Sequence, residues 1–292
     1  MLTISIIVTT YNRPDALALV LEALAAQQEL SGEKLSSFEV IIADDGSTLV
    51  TTEFLRKIRQ YLPYPLQHVW QEDQGFRAAR VRNRAIVVAR GDYLIFLDGD
   101  CIPQRDFVAR HRLLAETGWF IAGNRILLSE KFTAQILQQS SLLQSETRTP
   151  KPIWTWHFSQ WLLPYLRRDI NRLLPLLRLP ESSFSKRHSH RWQGAKTCNL
   201  AAWREDILKI NGFDEQFQGW GHEDAELVVR LLHSGVQRKE GRFAVPVLHL
   251  WHPEEDRRRE PENRRRLESM LRSTMIVAQQ GIEPGESRNL SS

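Results

Sequence analysis

Four short apolar runs in the first hundred residues each stop at a polar cluster, and this alternation constrains the fold more than any other feature of the chain. Residues 4–8 run into Thr9-Thr10-Tyr11-Asn12, residues 38–43 into Asp44-Asp45-Gly46-Ser47, residues 66–70 into Gln71-Glu72-Asp73-Gln74, and residues 93–97 into Asp98-Gly99-Asp100. Between them lie Pro14 with Ala16, Leu17, Leu21 and Leu24 at helical spacing, a short helical stretch at 54–61, and another at 78–89. Strands separated by helices of this length imply βαβ units and a parallel sheet buried on both faces, an α/β class. Ligands of such sheets sit beyond the carboxyl ends of the strands, so all four clusters fall on one rim.

Composition excludes several classes. Hydrophobic residues make up 42% and charged residues 25% of 292, which is globular and not disordered. A net charge of +4 is too small to imply a polyanionic partner, and without a basic stripe no nucleic acid is expected. Two cysteines, Cys101 and Cys198, cannot form a disulfide framework, which favours a reducing, cytoplasmic setting. The first residues lack a basic leader and read as a strand. The Leu-rich stretch at 162–179 is interrupted by Arg167, Arg168, Asp169 and Arg172, so it does not read as a membrane span.

Residues 130–192 differ in kind, with Trp154, Trp156, Trp161 and Trp192 beside many leucines. From 167 to 191 there are seven basic and two acidic residues. Such an amphipathic basic insert can meet an anionic headgroup interface, or it can pack on the sheet as a helical subdomain with solvated arginines. Pro164, Pro175 and Pro180 break any long helix. Residues 254–268 carry six acidic and six basic side chains, the pattern of a solvated helix face.

Three constellations carry chemistry. Asp98-Gly99-Asp100 places two hard oxygen ligands just past a buried strand, suited to Mg2+ or Mn2+ and to substrate phosphates. Phosphatases of the haloacid dehalogenase type also use Asp-x-Asp, but after the first strand and not the fourth. Gly219-Trp220-Gly221-His222-Glu223-Asp224 opens a helical run; acidic residues there can simply favour the helix dipole, yet a Trp between two glycines suits a platform for a sugar or base beside a proton-accepting carboxylate. His249 and His252 follow a strand-like run at 243–248 and are candidate metal ligands.

Taken together these residues resemble a family 2 glycosyltransferase of the GT-A fold, with a galactosyltransferase-type C-terminal region similar to β4-galactosyltransferases and chondroitin polymerase. The resemblance rests on residues 6–14, Asp44 to Thr48, Gly91 to Asp100, Asn199-Leu200-Ala201, Gly212 to Glu215 and Gly219 to Glu226, in that order. It implies a Rossmann-like, mostly parallel central sheet flanked by helices, with a helical insert. It divides the chain into a nucleotide-sugar half (1–125), the basic aromatic insert (126–192), an acceptor-binding and catalytic half (193–253) and a charged helix and tail (254–292).

The resemblance also implies roles. Thr9, Tyr11 and Arg13 would line the uracil and ribose pocket, Asp44 or Asp45 would hold the nucleotide, and Asp98 and Asp100 would be the metal-binding pair. Asp224 matches the catalytic base, Glu223 an acceptor-binding acid and Trp220 a mobile tryptophan, while His249 or His252 would complete the metal site. Arg77, Arg80 or Arg82 would approach the diphosphate, Arg80 being counted among the donor-binding residues. The implied activity is inverting, metal-dependent transfer from a UDP-sugar to a glycan or glycolipid acceptor. Lipopolysaccharide core synthesis at the inner face of the inner membrane, with peripheral contact to anionic lipid, is the expected setting. The alternatives are the phosphatase and a non-enzymatic membrane-binding protein.

Overall fold

A computed structural model describes residues 2–33, 35, 37–138, 140, 142, 152–179 and 183–282. The expected alternation is present. In chain order come β1 (Ile4–Thr10), α1 (Pro14–Ala25), β2 (Phe38–Asp44), α2 (Leu49–Ile58), β3 (Leu66–Trp70), α3 (Ala78–Val88) and β4 (Tyr93–Asp98). Then follow β5 (Cys101–Pro103), α4 (Phe107–Leu114), β6 (Trp119–Ala122), β7 (Asn124–Leu127), α5 (Glu130–Leu137) and α6 (Leu162–Leu166). The remainder holds β8 (Asn199–Trp203), α7 (Arg204–Lys209), α8 (Glu223–His233), β9 (Gln237–Glu240), β10 (Pro246–His249) and α9 (Glu260–Leu271).

Seven strands form one sheet in the order β3-β2-β1-β4-β8-β6-β9. Its strands are parallel except β8, which runs against both β4 and β6. Side chains of β1 alternate between two cores: Ile4, Ile6 and Val8 pack with α1, while Ile7 packs with apolar residues of α3 and α8. A strand buried on both faces must be apolar throughout, which explains the unbroken runs in the sequence. Register aligns the strand ends, pairing Thr9 with Asp98 and Thr10 with Asp44.

A second sheet, β5-β10-β7, matters most for the site. The chain turns at Gly99 straight into β5, which runs antiparallel to β10 and sets Cys101 opposite His249. The Leu250 N–H donates to the Asp100 carbonyl at 2.9 Å, so the histidine segment is laid directly along the acidic turn.

The insert is less helical than the sequence reading expects. Only α5 and the five-residue α6 are α-helical; the rest of its described length is loop and single 3-10 turns, at Ile153–Thr155, Phe158–Trp161, Leu174–Leu177 and Ser183–Lys186. Pro152 and Pro175 sit at the edges of two of these turns, where missing amide donors prevent helices from propagating. Trp154 and Trp161 are buried in the core with Ile153, Ile170 and Ile136 instead of facing outward. Pro180, Glu181 and residues 283–292 of the tail lie outside the described residues.

Helix α8 is anchored from below by a fully buried ion pair. Arg230 is 0% exposed; its Nη2 donates to Glu226 Oε2 at 2.6 Å and its Nη1 to the Ile210 carbonyl at 2.7 Å. Truncating one partner would strand a buried charge. Glu226→Ala is therefore expected to cost about 3 to 5 kcal/mol in chemical denaturation, and a loss below about 1 kcal/mol would show that the pair is solvated.

Candidate active site

The carboxyl ends of β1 and β4 open onto the start of α8, and a single side chain from α3 joins them. Arg82 is 3% exposed. Its Nε donates to Thr9 Oγ1 at 3.0 Å and its Nη2 to Asp98 Oδ1 at 3.2 Å, while Nη1 lies 3.5 Å from Glu223 Oε1 and 3.9 Å from Asp224 Oδ1. The guanidinium also lies 5.5 Å from the centre of the Phe213 ring. Three carboxylates around one cation outweigh its desolvation, and Arg82 is held more firmly protonated than an ordinary arginine.

The carboxylates respond unequally. Burial pushes Asp98 up to about 6 against the pull of Arg82, with Asp100 and Asp224 adding to the rise. Burial, with the neighbouring Asp224 charge, pushes Glu223 up to about 7. Glu223 Oε2 has no hydrogen-bond partner among the described residues. Asp224 Oδ1 accepts from the Thr197 hydroxyl, and Lys196 Nζ stands 4.0 Å from its other oxygen.

Beside this cluster is a separate trio. His249 Nε2 lies 3.7 Å from Asp100 Oδ1 and His252 Nε2 lies 3.5 Å from Asp100 Oδ2, too long for good hydrogen bonds. Ligand atoms of the three residues fall within 4.8 Å of one another. Asp100 Oδ1 is buried without a hydrogen-bond partner, and burial keeps His249 below the usual imidazole value, favouring the neutral form. His252 Nδ1 is 2.7 Å from the Pro253 carbonyl, which can only accept, so that contact occupies Nδ1 and leaves Nε2 as the nitrogen available to a cation. A carboxylate with one orphaned oxygen, each of its oxygens facing an imidazole nitrogen, fits a divalent cation.

Sequence reading leaves His249 and His252 as alternatives; the fold brings both to Asp100. Asp98 does not join that trio. It faces Arg82 and lies with the buried thiols of Cys101 and Cys198.

The remaining expected residues spread along the rim. Tyr11 is half exposed and its hydroxyl donates to Asp73 at 2.9 Å, while Arg13 is bound to Asp15 at 2.9 Å. Asp44 is fully buried, accepting from the Ser47 N–H at 2.8 Å and lying 2.9 Å from His68 Nε2. Asp45 accepts from Gln71 and from the Arg77 N–H at 2.7 Å, and its burial raises it above the usual carboxylate range. Trp220 stands between Gly219 at φ +74 and Gly221 at φ +108, and Arg257 covers one face at 4.7 Å.

Arg80 is exposed and 3.8 Å from Glu215, on the side of α3 away from the carboxylates that Arg82 enters. The signal was present in the sequence: Ala78, Ala79, Ala85 and Ile86 form the buried face of α3, and position 82 falls on it at i+4 and i+3 spacing, whereas position 80 does not. Thr197 and Lys196, which touch the catalytic-base candidate, carry no comparable signal.

Comparison with known proteins follows the same lines. Residues 5–174 match the family described as Glycosyl transferase family 2, and residues 181–252 match the N-terminal domain of galactosyltransferase. The chain is 31% identical over 242 residues to chondroitin synthase of Pasteurella multocida (strain Pm70), covering 80% of this chain and 23% of that protein. It is 30% identical over 236 residues to validoxylamine A glucosyltransferase of Streptomyces hygroscopicus subsp. jinggangensis (strain 5008), covering 80% and 52%. The chain thus spans from about a quarter to about half the length of these relatives.

Among solved structures, a mannosyltransferase from Pyrobaculum calidifontis in complex with GDP-Man and Mn2+ aligns with TM-score 0.54 at 17% identity, covering 85% of this chain and 56% of that one. S. aureus TarS 1-349 in complex with UDP aligns at 0.55 and 14% identity, covering 96% and 67%. At those identities the likeness carries the fold, which is GT-A. More than half of the chain, including β1 to β4 with their polar rim, falls within the first match, and the chain belongs to glycosyl transferase family 2.

Proposed function

We propose that this protein catalyses inverting, divalent-metal-dependent transfer of a hexose or N-acetylhexosamine from a UDP-sugar to a glycan or glycolipid acceptor. One observation carries the reading: an Asp-His-His trio fit for a cation adjoins an Arg82-centred group of three carboxylates at the carboxyl edge of the sheet. The neighbours bound to UDP and to GDP-Man support a nucleotide-sugar donor, and UDP is the nucleotide we propose from the galactosyltransferase-type match at residues 181–252.

Asp100, His249 and His252 would hold the cation. When bound it would supply Lewis-acid stabilisation of a nucleoside diphosphate leaving group. The chain's own residues do the rest. Asp224, oriented by the Thr197 hydroxyl, takes the proton from an acceptor hydroxyl, and that oxygen attacks the anomeric carbon on the face opposite the departing diphosphate. Arg82 Nη1, 3.9 Å from Asp224 Oδ1, offsets the repulsion that Asp98 and Glu223 exert on that carboxylate. Glu223, protonated below about pH 7, can donate a hydrogen bond to the acceptor from its unpartnered edge. Asp45 and Tyr11 lie on the rim where the base and ribose of a nucleotide would rest, and Trp220 offers an aromatic face to the sugar.

Calorimetric titration with UDP, UDP-glucose, UDP-galactose and their N-acetyl forms, with and without Mn2+, tests the proposal. Binding of one donor only with metal present, lost in Asp100→Asn, is expected; no nucleotide binding by the folded, metal-supplemented protein would refute it. Asp224→Asn should retain donor binding and lose about a hundredfold or more in turnover; unchanged turnover would remove Asp224 as the base.

Glu223 adds a pH signature. Its value is raised on folding, so its contribution to stability is full below the ordinary carboxyl value of 4.5 and is lost as pH rises through about 7. Glu223→Gln should therefore gain on the parent protein by about 3 kcal/mol between acid and mildly alkaline pH in the metal-free state. Parallel stability curves for the two proteins would show that Glu223 is not perturbed.

A further inference from the structure

Trp154 and Trp161 of the insert turn inward with Leu176, while most of its other leucines stay outside. Leu162, Leu163, Tyr165 and Leu166 are exposed on and around α6, Leu166 by 77%. Leu174 and Leu177 follow on the next turn, Leu174 exposed by 62%. A soluble surface tolerates such residues singly, but a contiguous group on one short segment marks an interaction face.

Its charges narrow the partner. Arg167, Arg168 and Arg172 are exposed between the two apolar turns. Among the described residues neither Arg167 nor Arg168 makes a side-chain hydrogen bond or ion pair, and Arg172 bonds only the neutral Asn124 at 3.1 Å. Asp169 is the sole acid between residues 152 and 179, and it accepts from the Ser129 hydroxyl at 3.3 Å. A leucine surface interleaved with uncompensated arginines fits an apolar layer under anionic headgroups.

The face is tied to the site. Asn171 N–H donates to the Leu127 carbonyl at 3.1 Å, and Leu127, itself partly exposed, pairs in β7 with His249 in β10. One strand separates the basic loop from the Asp-His-His trio.

We propose that this Leu/Arg face docks on an anionic lipid bilayer, so that the acceptor is carried by a lipid at that surface. The acceptor clause rests on the transfer reading above; the docking does not. The test is co-sedimentation of the full chain with vesicles of phosphatidylcholine alone or mixed with phosphatidylglycerol, at low and high salt. The parent protein is expected to partition onto the mixed vesicles only, and less so as salt rises.

Leu163→Ser/Leu166→Ser and Arg167→Glu/Arg168→Glu should each lower partitioning by about tenfold or more, at about fivefold per arginine lost. These positions are exposed, so both variants should unfold at the parent temperature and bind UDP as the parent does. Should the leucine variant fail to fold, the arginine variant alone decides. Equal recovery with neutral vesicles, no binding at low salt, or undiminished binding by both variants would overturn the proposal. So would a parent dimer that the leucine variant dissolves without loss of vesicle binding. Vesicle binding without any UDP binding would uphold the docking and discard the transfer reading.

Discussion

The guanidinium of Arg82 is where four elements meet, and the site depends on it. Its helix lies on one face of the sheet, yet its side chain reaches Thr9 on β1, Asp98 at the end of β4, and Glu223 and Asp224 at the start of α8. Three carboxylates this close repel one another; a single fixed cation lets them share a pocket. The cost of burying Arg82 is offset by those carboxylates, and the division of labour follows. Glu223, raised by burial and by its neighbour, sits near neutrality, while the other groups are tied to partners that orient them.

The cation-binding side has a different origin. Gly99 must pass close to β1, where an added Cβ would lie 3.0 Å from the Thr9 carbonyl and 3.1 Å from Thr10 Oγ1. That turn sends the chain into β5, and the pairing of β5 with β10 lays His249 and His252 along Asp100. Candidate metal ligands far apart in sequence are thus brought together by backbone pairing, before any side-chain preference acts. The neighbouring Gly-Trp-Gly loop is held from outside: Asn263 on α9 donates to the Gln218 carbonyl at 3.1 Å, and Glu260 lies 3.0 Å from His222. His222 takes a left-handed φ of +73 just before Glu223, so α9 fixes the entry into α8.

Much of this was legible beforehand. Apolar runs buried on both faces announce themselves, and the polar clusters that end them mark the rim, so β1 to β4 and the placement of Asp98, Asp100 and Asp45 follow from pattern alone. The choice between His249 and His252 did not, because both follow the strand and only the β5 pairing shows that both face Asp100. Arg77, Arg80 and Arg82 were not told apart, because a charge on a helix is ordinarily solvated; the face defined by Ala78, Ala79, Ala85 and Ile86 is what singles out Arg82 as the one that turns inward. In the insert, tryptophans and leucines are equally apolar by composition, and only packing decides that Trp154 and Trp161 fill the core while Leu166 stays outside.

The central claim is that one cation binds between Asp100, His249 and His252 at the edge of the Arg82 carboxylate group. Anomalous diffraction at the manganese edge, from crystals of the protein grown with Mn2+ and UDP, tests it most directly. The account predicts one strong peak within bonding distance of all three side chains, with the diphosphate of UDP against it. A peak at Asp98 beside Cys101 and Cys198, or UDP bound on the rim with no metal at the trio, would contradict it.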